Sequence, residues 1–90
     1  MAHPFEERRF GRFKISGRMV RACPSAVVAA TSGMLILRAE AFFRDDSIEY
    51  HAASEHFDKI ADGEDLPLYE AQVRDLVGGK HHITWTRVDR

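Results

Sequence analysis

The chain is poor in the residues that cross-link or interrupt small folds. It has one cysteine, Cys23, and three prolines among 90 residues. A single cysteine excludes an internal disulfide and a cysteine-rich zinc site, which is typical of a reducing compartment. No apolar run is long enough to cross a bilayer, and residues 1–13 lack the apolar centre of a signal peptide. We therefore expect a cytoplasmic protein that does not associate with membranes.

Low-complexity sequence is also missing, and the composition is that of a folded protein. Hydrophobic residues make up 44% and charged residues 30% of the chain, so the composition does not favour disorder. A chain of this length supports one modest core and no deep cavity between domains. We predict a single domain over residues 1–90, in which residues 1–8 are a candidate flexible arm. Ten arginines against three lysines, with eleven alanines, indicate a GC-rich coding sequence of bacterial or phage type.

The clearest pattern that is present is the period-two alternation of a β-hairpin. Residues 34–45 alternate apolar and polar side chains, and the alternation resumes at Ile48 after two aspartates that form a two-residue turn. The predicted partners across the two strands are Phe43 and Ile48, Ala41 and Tyr50, and Glu40 and His51.

A second hairpin is predicted in the last third of the chain. Residues 68–76 and 81–88 flank a turn that contains Gly78 and Gly79, which supply positive φ angles. Pairing residue 77 with residue 80 sets Val73 opposite Thr84 and Gln72 opposite Trp85. In this register the tryptophan points away from the face assigned to the core.

The remaining segments complete the predicted fold. Helical spacing over residues 54–63 predicts one short helix, with Ser54 as its cap. Residues 9–22 resemble one long strand or two strands broken at Gly17. Residues 25–32 fit either a strand or a helix beginning at Pro24, and we favour the strand. The prediction is an α+β domain with an antiparallel sheet of five or six strands and one short helix after the fourth.

Charge is divided unevenly along the chain. Residues 1–44 carry a net charge of +5 and residues 45–90 carry −6. The split indicates either a basic surface for an anionic partner or two halves that neutralise each other within one domain. The most basic stretch interleaves cations with aromatic rings, as nucleic-acid interfaces do. Its candidate contact residues are Arg8, Arg9, Phe10, Arg12, Phe13 and Lys14. The alternative is an edge strand whose cations prevent aggregation.

No catalytic motif is found in the sequence. Cys23 lacks the arginine six residues later that a cysteine phosphatase loop needs, since position 29 is alanine. His51 and His56 lie near Glu55, which makes a small metal-dependent hydrolase the third hypothesis, but no metal-ligand spacing supports it. We predict no catalytic residue, no metal and no cofactor.

Surplus apolar residues give the leading functional hypothesis. In the predicted registers, five apolar side chains point away from the core face, and one short helix cannot cover them. These residues are Met34, Ile36, Phe42, Ile83 and Trp85. They predict a non-catalytic interaction or assembly module that forms a homodimer or binds another protein, with a nucleic-acid-binding protein as the alternative.

Overall fold

A computed structural model of the protein describes residues 3–75 and 80–88. Within these residues the chain forms an α+β fold with five strands and two helices. In chain order they are β1 (Phe10–Ser16), α1 (Gly17–Ala22), α2 (Pro24–Thr31), β2 (Leu35–Phe42), β3 (Ser47–Ala53), β4 (Leu68–Asp75) and β5 (His81–Arg87). The prediction of an α+β fold is confirmed.

The sheet is mixed, whereas the sequence predicted an antiparallel one. The strand order is β2-β3-β1-β4-β5, and β4 runs parallel to β1. β3 ends beside the start of β1, where Ala53 lies opposite Phe10, and β4 begins at the same end, where Leu68 lies opposite Arg12. The connection, residues 54–67, therefore turns around the end of β1, and β4 runs in the direction of β1. The other neighbouring strands are antiparallel.

Both helices follow β1, so the predictions for the N-terminal segment need correction. The strand ends at Ser16, whose hydroxyl caps α1 by accepting from the Met19 amide at 3.1 Å. Pro24 opens α2 in the first turn, where its missing N–H costs nothing. The strand favoured for residues 25–32 is therefore wrong, and the alternative helix beginning at Pro24 is confirmed. The strand over residues 9–22 is interrupted at Gly17, where a helix and not a second strand follows.

The helix predicted at residues 54–63 is also wrong, because this segment forms turns and an isolated bridge. Two of its backbone amides donate to carbonyls of the N-terminal segment, and that of Asp58 donates to the hydroxyl of Tyr69. The amide of Ile60 donates to the carbonyl of Arg8, and that of Ser54 donates to the carbonyl of Arg9, both at 3.0 Å. Tertiary hydrogen bonds thus replace the helical ones that the apolar spacing suggested.

The first hairpin is confirmed, but its register is shifted by two residues. Ala41 lies opposite Ile48, and four residues, 43–46, form the turn. An even shift keeps Ala41 and Ile48 on one face. Phe43 therefore lies in the turn and not in the strand, and its side chain is 93% exposed. A bulge between Ile36 and Arg38 then places Ile36 opposite Ala52, on the core side of the sheet.

The second hairpin is confirmed, but its register is shifted by one residue. Trp85 lies opposite Ala71, and the predicted glycine turn lies outside the described residues. An odd shift exchanges the two faces, so Trp85 turns to the core side. Its ring lies 4.8 Å from that of Phe13 and 5.5 Å from that of Phe57, which explains why this register is preferred.

The core lies on the face of the sheet that carries Trp85. Buried side chains come from β1, β3, β4 and the connection: Phe13, Ile15, Ala52, Phe57 and Tyr69. Both helices and their flanks add partly buried residues to this cluster, among them Met19, Val20, Val27 and Met34. The opposite face of the sheet is referred to below as the open face.

Gly11 on β1 is required by the aromatic packing. A Cβ at this position would lie 2.8 Å from ring carbons of Tyr69 and 2.9 Å from the ring of Phe57. Those two rings are stacked on each other with centroids 4.4 Å apart, so neither can move independently. The absence of a side chain therefore lets the stack rest on the strand.

We predict that Gly11→Ala lowers the free energy of unfolding by about 1–3 kcal/mol, the usual cost of overpacking a core. Urea denaturation measures the change. Gly63→Asn is the control, because position 63 has a positive φ of 81° that asparagine tolerates and open space around it. A Gly11→Ala variant as stable as the control would contradict the described packing.

We also predict a loss of stability in alkali that depends on Tyr69. Its hydroxyl accepts from the Asp58 amide at 2.8 Å, and burial raises its pKa above the ordinary value of 10.0. Above that pH the unfolded chain releases the phenolic proton while the folded chain keeps it, so the free energy of unfolding falls as pH rises. Urea midpoints of the wild type should fall more between about pH 8 and pH 10.5 than those of Tyr69→Phe. Equal falls would contradict this assignment.

Candidate functional site

Residues 10–14 of the basic segment 8–14 lie on β1, at the centre of the sheet and not at an edge. β1 is paired with β3 on one side and β4 on the other, so the edge-strand alternative was wrong. Its side chains alternate between the faces, with Phe13 fully buried in the core and Arg12 half-buried. The alternation therefore separates the residues that the nucleic-acid hypothesis had grouped.

Three arginines of this segment are used to hold the connection between β3 and β4. Each guanidinium donates to a backbone carbonyl of that connection. The pairs are Arg8 Nε with Ile60 O at 3.1 Å, Arg9 Nη1 with Phe57 O at 3.0 Å, and Arg12 Nε with Leu66 O at 3.1 Å. Arg9 also binds the Glu7 carboxylate at 2.8 Å, which lowers the pKa of that acid. These contacts give the arginines a structural role.

The other members of the segment are engaged locally. Phe10 meets the ring of Phe5 edge to face, with centroids 5.5 Å apart, and the guanidinium of Arg8 lies 5.6 Å from its centroid. Lys14 is 3.3 Å from the Asp45 carboxylate and 5.5 Å from the centre of the Phe42 ring. The cations and rings thus contact each other and the rest of the fold.

Charged side chains form two rows on the open face. Arg38 lies opposite His51, and Glu40 lies opposite Glu49, so the predicted pairing of Glu40 with His51 is wrong. Opposite charges meet along each strand instead. Arg38 binds Glu40 at 3.0 Å on β2, and His51 contacts Glu49 at 2.9 Å on β3. Across the two strands, Glu40 therefore has another carboxylate as its direct neighbour.

The metal-dependent hydrolase hypothesis gains no support. His51 is held by Glu49 on β3, while His56 is exposed in the connection. Within residues 3–75 and 80–88, no group of three or more potential ligands is arranged to hold a metal ion. Neither helix in this part of the chain has the length and apolarity needed to span a membrane.

The five residues of the predicted interaction surface do not lie together. Met34 and Trp85 pack against the core cluster. Ile83 lies opposite Val73, on the same face of the sheet as Trp85. Phe42 lies at the end of β2 near Lys14. Ile36 is the member that stays in an exposed apolar group. The register of the second hairpin accounts for the positions of Ile83 and Trp85, and the bulge in β2 accounts for that of Ile36.

An exposed apolar strand at the sheet edge is the strongest candidate site. β2 is the outermost strand, and Leu35, Ile36 and Leu37 are 42%, 38% and 45% exposed. Phe43 follows the strand and is almost fully exposed. We call residues 35–43 the β2 edge. Its sequence signal was the apolar run that begins at Met34, which strict alternation does not explain.

A cleft of about 200 Å³ adjoins the far end of the β2 edge. It lies between α1 and the first hairpin, and its walls include Val20, Ala41, Phe42, Phe43 and Ile48. Arg21 and Asp46 form an ion pair of 2.9 Å on its wall, and the hydrogen bond from Arg21 lowers the pKa of the Asp46 carboxyl. The buried hydroxyl of Ser47, also on the wall, has no hydrogen-bond partner among the described residues. The lining suits an apolar side chain.

One pair of chemically active side chains could not be found from the sequence. Ser25 Oγ lies 2.9 Å from His81 Nε2, and Cys23 Sγ lies 3.9 Å from the same hydroxyl. The serine and histidine are 56 residues apart, and α2 and β5 bring them together. The cleft beside the β2 edge is lined by other residues and does not include this pair.

Comparisons of the chain with protein-family models, with curated proteins and with solved structures found no match. We therefore infer the function from the geometry of the chain itself.

We predict that Arg9→Ala lowers the free energy of unfolding by about 1–3 kcal/mol, because it removes a charged hydrogen bond to the connection. Arg18→Ala, which removes an exposed cation from α1, should change it by less than about 0.5 kcal/mol. Chemical denaturation of both variants gives the comparison. Equal small effects would show that Arg9 is free for another role.

Proposed function

We propose that this protein is a non-catalytic interaction module that binds another polypeptide strand along the β2 edge. The observation that carries the proposal is an eight-residue edge strand on which the first seven residues are exposed and three consecutive ones are large and apolar. An edge strand presents backbone N–H and C=O groups that another strand can pair with.

β2 has few of the features that protect a sheet edge from pairing with another strand. The strand has no proline and no lysine, and its only charges are Arg38 and Glu40, which neutralise each other at 3.0 Å. The bulge at Leu37 is the one irregularity. Proteins that avoid pairing at their edges use short strands, lysines, prolines or bulges. The composition of β2 thus supports a strand that accepts a partner.

Neighbouring features would add specificity to such binding. Backbone pairing provides affinity for many sequences, and pockets for alternate side chains select among them. The cleft beside Phe42 and Phe43 suits an apolar side chain of the bound strand. The Arg38 and Glu40 pair favours a partner with the complementary order of charges. The cations of the basic segment are held by carbonyls and carboxylates, so no second function is proposed for them.

A peptide-selection experiment tests the proposal. The protein is immobilised at low density and used to select from a random peptide library, and binders are then titrated into labelled protein followed by NMR. We expect peptides with dissociation constants of about 1–100 μM that shift the amide signals of residues 35–42.

Lysine variants supply the matched comparison. The double variant Leu35→Lys/Leu37→Lys should bind the selected peptides at least about tenfold more weakly, because lysine on an edge opposes strand addition. Thr84→Lys/Thr86→Lys places the same charges at exposed positions on the other edge strand, β5, and should leave binding unchanged. Failure to select binders, or binders that shift signals only elsewhere, would refute the proposal.

A further inference from the structure

We infer that the strand accepted by the β2 edge is β2 of a second copy of this chain, paired antiparallel about a two-fold axis with Ala39 opposite Ala39. This inference rests on the proposed function, because it specifies the partner of the same edge. The two sheets would then form one continuous ten-stranded sheet with all helices on one side.

Symmetry restricts the possible registers. A two-fold axis perpendicular to the sheet relates antiparallel strands and keeps their faces aligned. It therefore passes between one residue and the same residue of the other copy. Near the middle of β2, which spans Leu35–Phe42, that residue is Arg38, Ala39 or Glu40.

Charge selects one of the three registers. An axis at Arg38 sets two guanidinium groups opposite each other, and an axis at Glu40 does the same with two carboxylates. Like charges directly opposite destabilise a strand pair, whereas opposite charges stabilise it. An axis at Ala39 places Arg38 of each copy opposite Glu40 of the other. The order Arg-Ala-Glu in β2 is therefore complementary to itself.

The neighbouring strand β3 increases this preference. Within one chain, Glu40 lies opposite Glu49, and Arg38 lies opposite His51. Neither charged side chain of β2 thus has an opposite charge directly across from it on the inner side. In the inferred dimer, each obtains one across from it on the outer side, from the second copy.

The same register brings the apolar residues of the edge together. Residues 35–37 of one copy run beside residues 41–43 of the other, without strict residue-by-residue pairing because the bulge lies at Leu37. The exposed residues 35–37 thus meet the apolar end of the second strand, including the most exposed aromatic ring, that of Phe43. The bulge at Leu37 limits regular pairing to the central residues, and a single strand pair buries little area. We therefore expect a weak dimer.

Charge variants test the register by sedimentation equilibrium. The wild type should be dimeric in part at about 200 μM, as expected for a dissociation constant in the micromolar range. Arg38→Glu and Glu40→Arg should each weaken the dimer at least about tenfold, because both symmetry-related pairs become repulsive. Arg38→Glu/Glu40→Arg should restore wild-type affinity. Glu70→Arg, on β4 away from this edge, is the control for net charge.

A cross-link tests the geometry independently. In a Cys23→Ser background, Ala39→Cys places two thiols across the axis, and directly opposite Cβ atoms in a strand pair lie close enough for a disulfide. Mild oxidation should give a covalent dimer whose β2 amide signals match those of the non-covalent dimer. Thr84→Cys, on the other edge strand, should remain monomeric under the same conditions.

Each outcome either supports or overturns the inference. A wild type that is monomeric at about 200 μM overturns it, and so does a dimer that is unaffected by the single charge variants. If selected peptides still shift the signals of residues 35–42, the proposed function holds and only the identity of the partner is wrong. If peptides fail at the β2 edge and the wild type is monomeric, both proposals fail.

Discussion

The fold depends on a cluster of aromatic rings packed against a glycine in its central strand. Phe57 stacks on Tyr69 above Gly11, and Trp85 meets both Phe13 and Phe57 edge to face. These contacts join residues from β1, the connection, β4 and β5. Because ring packing is geometrically specific, the cluster fixes the position of the connection and the register of β5 together. The rest of the architecture follows from these two constraints.

Placing the connection around one end of β1 gives the basic segment its role. Arginines that the linear sequence presents as a cationic cluster donate instead to carbonyls of residues 57–66. Those carbonyls belong to a segment without regular structure, so they need partners from elsewhere in the chain. A feature that suggests a nucleic-acid interface thus serves to hold an irregular segment.

The same topology leaves β2 outermost and partly apolar. Both helices cover the core face over the middle of the sheet, and the first hairpin carries β2 to its margin. A strand so placed exposes backbone groups and alternating side chains at once, which is the basis of recognition by strand addition. Its charges form a sequence complementary to itself, and this relates the edge to self-association. The proposed function and the inferred partner thus depend on one structural element.

The sequence by itself determined those elements that depend on interactions between residues close together in the chain. Alternation at residues 34–53 and 68–88 predicted two hairpins, and the pattern of elements predicted the α+β class, because side-chain period and turn residues act over a few positions. Registers, the parallel strand and the loop at residues 54–63 were decided by contacts between distant residues. The observed register of β5 differs by one residue from the predicted one. It places Trp85 on the core face, where its ring contacts those of Phe13 and Phe57. With that register, Ile83 and Trp85 of the predicted interaction surface lie on the core face. The exposed β2 edge depends on the order of the strands, since edge position is a property of the whole sheet.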